Sequence, residues 1–125
     1  MATPTDRKYS TDHEWVLVDG DTATIGITAY AADQLGSIVF VDLPEAGDTF
    51  EVEDAFGEVE SVKSVSELLA PVGGEILAVN DSLDAAPETV NDDPYGDGWL
   101  IKIRMDNEGD LEELVDAEAY DASCA

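Results

Sequence analysis

The segment Gly57–Ser66, GEVESVKSVS, places one lysine among carboxylates, and Lys63 is the only lysine or arginine between Lys8 and Lys102. A primary amine in such a background has three chemical uses. It could pair with Glu60 or Glu67, attack a carbonyl as a Schiff-base nucleophile, or serve as the attachment point for a group carried in amide linkage. The Schiff-base role requires a desolvated pocket that lowers the amine pKa, whereas flanking carboxylates raise it, so this use is disfavoured. An attachment point requires an exposed lysine on a rigid turn, where a modifying enzyme can reach the amine and the loaded arm can enter other proteins. Ion pair and attachment point both remain open from the residues alone, with a catalytic amine the weakest of the three.

The other reactive side chains offer less. His13 is the single histidine and Cys124 the single cysteine, next to last in the chain, so no metal-ligand cluster or disulfide framework exists. A thiol so close to a chain end is a poor place to hold a nucleophile. The carboxylates form no twelve-residue calcium loop, and Asp92, Asp93 and Asp97 around Pro94-Tyr95-Gly96 read as turn formers. No metal site is expected.

The elements that must present Lys63 are short. Glu14–Asp19 and Thr22–Ile27 flank Asp19-Gly20-Asp21 and predict a hairpin. Thr28 can cap a helix over Ala29–Leu35 that Gly36 ends. Residues 37–42, 49–52, 56–62, 64–70, 75–79 and 99–105 read as strands, with Lys63 at the turn of a hairpin that has no Asn-Gly or Asp-Gly signal. Residues 84–98 read as a loop with at most one helical turn near Pro87–Val90. From Gly109, Leu111, Leu114 and Val115 share a helical face opposite Glu112 and Glu113, predicting a C-terminal helix that continues through Tyr120. The pattern predicts a mainly β fold, a small barrel or sandwich of short strands decorated by small helices.

Composition bounds the rest. The 125 residues fit one domain, and 44% hydrophobic content is too high for a solvated acidic tail. Acids outnumber bases 30 to 5, for a formal charge of −25. Nothing here could neutralise a row of phosphates, so nucleic acid and anionic membranes are disfavoured as partners. Self-repulsion would strain the compact state at ordinary salt, whereas at ~1 M salt the Debye length is about 3 Å and most of that strain is screened. A salt-rich cytoplasm, as in halophiles, fits. No apolar run is long enough to span a membrane, and MATPTDRKYSTD lacks a signal-peptide core, so a cytoplasmic location is expected.

Glu60-Ser61-Val62-Lys63-Ser64 resembles the lipoyl-attachment segment of the glycine cleavage system H proteins. His13-Glu14-Trp15-Val16, Gly26-Ile27-Thr28, Leu35–Pro44, Ala70–Glu75 and Asn91–Trp99 resemble further segments of that family, in the family's order, over roughly residues 9–120. The resemblance implies a lipoyl/biotinyl-type hybrid of barrel and sandwich, with lipoate in amide linkage on Lys63 and no active site of its own. The implied partners are a pyridoxal-phosphate glycine decarboxylase, a tetrahydrofolate-dependent aminomethyltransferase and a flavin-containing dihydrolipoamide dehydrogenase. A lipoate ligase, or an octanoyltransferase with lipoyl synthase, would install the arm. The loaded arm ends in a cationic amine, for which Glu14 is the expected carboxylate partner, with Ser61 and Thr28 as polar contacts. Gln34 stands where many members have a histidine, and Ser64 where alanine is common. A lipoyl donor to other proteins, or a lipoyl domain of a 2-oxoacid dehydrogenase system, is the alternative. Biotin attachment is disfavoured, because Val62 and Ser64 replace the methionines usual beside that lysine. A monomer is the simplest expectation for a carrier that visits several partners.

Overall fold

The computed structural model describes residues 3–124, apart from the side chain of Cys124, on which the sequence placed a lone thiol. Nine strands run in chain order as β1 (Lys8–Tyr9), β2 (Glu14–Asp19), β3 (Thr22–Ile27), β4 (Ile38–Asp42), β5 (Thr49–Phe50), β6 (Ala55–Ser61), β7 (Val65–Leu69), β8 (Gly74–Val79) and β9 (Ile101–Met105). Helices are short: α1 (Ala29–Leu35), α2 (Ser82–Ala85), α3 (Thr89–Asp92) and α4 (Ala117–Cys124), with a 3-10 helix over Glu108–Glu113. One sheet has the order β1-β2-β3-β9-β8-β5 and the other β4-β6-β7, all pairs antiparallel. This is the mainly β barrel-sandwich expected from the sequence.

Alternation explains how the sheets close on one core. In β9, Ile101, Ile103 and Met105 point inward while Lys102 and Arg104 face solvent, and in β6 Val59 is buried between exposed Glu58 and Glu60, with Phe56 turned inward at the register shift between Ala55 and Gly57. They meet Val16, Ile25, Ile27, Val41, Leu68 and Ile76 in the main core. A smaller aromatic cluster joins Tyr9, Trp15 and Tyr120 with Ala117, fastening α4 to β1 and β2. Trp15 lies flat against Gly26, where an added Cβ would sit 2.6 Å from the indole, and its Nε1 donates to Pro94 O at 2.9 Å.

Local chemistry accounts for most boundaries. Gly20, at φ 65°, takes the left-handed conformation that the two-residue β2–β3 loop requires. Thr28 caps α1 by accepting from Ala31 N at 3.2 Å, and Gly36 ends it at φ 82°. The C-terminal region differs from expectation. The Asn107 side chain caps a 3-10 helix that ends when Leu114 turns extended, and Val115 pairs with Tyr9 through two backbone bonds of 2.8 and 2.9 Å. Apolar periodicity suggested one helix because Leu111, Leu114 and Val115 are all wanted inside. Tyr9 claims Val115 as a strand partner instead, and Asp116 starts α4 afresh by accepting from Ala119 N. Neither β1 nor α2 was anticipated, since a two-residue strand and a single helical turn have no period to read.

Candidate functional site

Lys63 sits exposed on the three-residue link, Val62 to Ser64, between β6 and β7, whose last mutual pair is Glu60 with Val65. The turn that local sequence did not announce is built by Ser61. Its hydroxyl accepts from Lys63 N and Ser64 N, each at 3.1 Å, and donates to Ser64 O at 3.2 Å, while Ser61 N donates to Ser64 O at 2.8 Å. A serine turn of this kind holds the lysine backbone without glycine. One more bond, Val62 N to Ser37 O at 3.1 Å, fixes the tip to the α1–β4 connection. The connection is itself held by Asn91, whose Oδ1 accepts from Ile38 N and whose Nδ2 donates to Gly36 O, both at 2.8 Å.

The ion-pair reading of Lys63 fails. Among the described residues the ion pairs are Arg7–Asp6 and Arg104–Glu75, and neither involves Lys63. Glu60 stands between Phe40 and Val65 across the sheet, and behind that row Asp42, Glu58 and Glu67 stand abreast on neighbouring strands. Like charges directly opposite one another destabilise a sheet, so this acidic row is a local instance of the whole chain's self-repulsion.

A cleft of about 410 Å³ lies beside the turn, with α1 and β7 among its walls. Ile27, Ala31, Leu35, Val59, Leu68 and Leu69 make its apolar lining, joined by Asp12, His13, Glu14, Gln34 and Glu67. Both walls lead back to Lys63: β7 starts two residues after it, and α1 ends at Gly36, where an added Cβ would sit 3.3 Å from Lys63 Cε. Glu14 is only 2% exposed, although it lines this cleft. Ser10 Oγ reaches Glu14 Oε1 only at 3.4 Å, and Oε2 has no hydrogen-bond partner. Burial pushes the Glu14 carboxyl well above the usual range, and Asp12 adds to the shift. Ser10 and the Leu69 backbone act in the opposite direction, yet Oε2 keeps no hydrogen-bond partner, and a buried acceptor left so costs about 1–3 kcal/mol.

Thr28 and Ser61 do not join Glu14 there. Thr28 is fully buried, capping α1 and meeting the Tyr120 hydroxyl at 2.7 Å, while Ser61 uses its hydroxyl inside the turn. Their places are behind the site, where they hold α1 and the lysine loop. Gln34 does line the cleft. His13 also lines it, with φ 67° and Nδ1 2.8 Å from the Tyr120 hydroxyl. Two contributors were missed by sequence reasoning. Asn91 gave a signal only as part of the Asn91–Trp99 segment, and Tyr120 only as one more apolar residue of the last helix.

A model of the glycine cleavage H-protein family matches residues 7–125. The chain belongs to that family. It is 55% identical to the glycine cleavage system H protein of Beutenbergia cavernae over 122 residues, which are 98% of this chain and 96% of that one. It is 53% identical over 122 residues, with the same coverage, to the probable glycine cleavage system H protein of the archaeon Natronomonas pharaonis. The crystal structure of a glycine cleavage system H protein from Mycobacterium marinum superposes with a TM-score of 0.90 at 41% identity, covering 98% of both chains. The family's carrier logic and the exposed lysine beside an apolar cleft thus point the same way.

Proposed function

We propose that this chain is the lipoyl-bearing carrier of a glycine cleavage system, with lipoate attached through an amide to Lys63. The observation that carries the reading is an unpaired, exposed lysine on a hydroxyl-braced hairpin, beside a cleft of mixed apolar and acidic lining that contains an orphaned carboxylate oxygen. The residues fit the group. An acyl chain suits walls of Ile27, Leu35, Val59 and Leu68, and a cationic end suits Glu14. When bound, the dithiolane supplies sulfur and redox chemistry that no side chain of this protein offers.

The chain's own residues present and shelter. The Ser61 turn holds Lys63 exposed at the hairpin tip, its stem running past Gly36, so that a ligase, or an octanoyltransferase followed by lipoyl synthase, reaches its amine. The tether then replaces diffusional capture with a high effective concentration at each docked partner. Glycine decarboxylase, aminomethyltransferase and dihydrolipoamide dehydrogenase are the partners of this reading, and the lipoyl group on Lys63 would supply the sulfur that carries the one-carbon unit between the first two. Glu14 holds the cationic end, the apolar walls exclude water, and Gln34 supplies a neutral amide at the rim. Thr28 acts indirectly, by capping the helix that forms one wall.

The carrier has no catalytic residue of its own and works as a single unit and a monomer in the cytoplasm of a salt-adapted cell. The charge of −25 supports the last point. Replacing Lys63 by Arg keeps the charge and removes the acylable amine. Glycine decarboxylation with purified partner enzymes should fall to background in Lys63→Arg while Tm is unchanged; retained activity would refute the reading.

A further inference from the structure

The cleft contains a charge imbalance that its role as a shelter does not explain. Asp12, Glu14 and Glu67 line it, Glu53 acts on Glu14 from outside, and no lysine or arginine is among the described residues of the lining. His13 is the one basic side chain there, and its Nδ1 is engaged by Tyr120. Gln34 contributes a neutral amide, and the groups that favour the ionised carboxylate are Ser10, by one long contact of 3.4 Å, and the Leu69 backbone, both smaller in effect than burial. An ionised carboxylate would stand in this cleft 2% exposed, beside other carboxylates and with one oxygen unpartnered. Desolvation and like charge both favour the neutral acid over that state.

We propose that the cleft stores a proton on Glu14 before the arm enters it, and that the cationic end of the arm displaces this proton to bulk water on entering. The second half rests on the lipoyl-carrier reading above. The carboxyl O–H bond breaks, the proton leaves to solvent, and the carboxylate pairs with the ammonium; nothing is oxidised or reduced. Neutralisation removes the cost of an unpaired buried charge while leaving Oε2 available to the incoming group.

Two consequences distinguish this cleft from a fixed carboxylate. An arm with a neutral end forms no ion pair, so the cleft discriminates loaded from unloaded arms by charge. Capture also releases one proton, so it strengthens about tenfold per pH unit below the Glu14 midpoint and levels off above it.

The test follows the side-chain carboxyl carbon of Glu14 by 13C NMR against pH, with Glu14→Gln to assign the signal. In unlipoylated protein the midpoint should lie clearly above that of the exposed glutamates. In lipoylated protein carrying the aminomethyl group it should fall by about 1–3 units. A midpoint near the ordinary ~4.3 in the unlipoylated protein overturns proton storage. An elevated midpoint that loading does not lower overturns the exchange. The first titration does not involve the arm, and intact mass reports independently whether Lys63 was acylated, so the two readings can fail separately.

Discussion

Removing the Ser61 hydroxyl should loosen the lysine turn without opening the hairpin. Ser61→Ala deletes acceptor contacts to Lys63 N and Ser64 N and a donor contact to Ser64 O, at 3.1, 3.1 and 3.2 Å. The backbone bond from Ser61 N to Ser64 O, at 2.8 Å, survives. Net values of about 0.5–1.5 kcal/mol per bond, taken at the low end because water can reach this exposed tip, give a loss of roughly 1.5 kcal/mol. For a chain of this length that lowers Tm by roughly 5–8 °C. The decisive assay is amide hydrogen exchange at Lys63 and Ser64, which should accelerate selectively, together with a higher KM for the protein as a lipoylation substrate. Ser61→Thr keeps the hydroxyl and should restore both. Unchanged exchange at Lys63 and Ser64 in Ser61→Ala would refute the claim that this side chain builds the turn.

Three further outcomes follow from other parts of the molecule. Gly57→Ala puts a Cβ 2.2 Å from Asp42 O, so β4 and β6 must separate and unfolding should be easier by about 1–3 kcal/mol, measured by denaturant titration. Glu14, with a folded pKa raised above its unfolded value, binds its proton more tightly when folded. Its contribution is therefore fully present below the unfolded pKa and lost as pH rises through the folded one. Glu14→Gln should accordingly gain stability relative to the parent as pH rises, then plateau; a constant difference would contradict the raised pKa. Raising salt from 0.1 to 1 M cuts the Debye length from about 10 to about 3 Å and should raise Tm, with a smaller rise in Glu58→Gln, which thins the Asp42–Glu58–Glu67 row.

The parts of the fold that local chemistry dictates were legible in the sequence. The β2–β3 hairpin, the Thr28 cap and the Gly36 stop each depend on residues within four positions of one another. The Lys63 hairpin was legible from its flanking strands, but its turn was not, because a serine turn looks like any Ser-X-X-Ser in sequence. Parts set by distant partners were misread or missed. Val115 fits a helical face as well as a strand, and only Tyr9, over a hundred residues earlier, decides between them. For the site, residue type alone singled out Lys63, and the resemblance added Glu14, Ser61 and Thr28. Folding brings only Glu14 to the cleft, because Thr28 and Ser61 are short hydroxyls whose nearest unsatisfied partners are backbone N–H groups of their own helix and turn.

The central claim is the amide on Lys63, and intact mass of the protein purified from its native host tests it most directly, with peptide mapping across Gly57–Ala70. A single lipoyl or octanoyl adduct localised to Lys63 is the predicted result. An unmodified Lys63, in cells that lipoylate other proteins, would contradict the account.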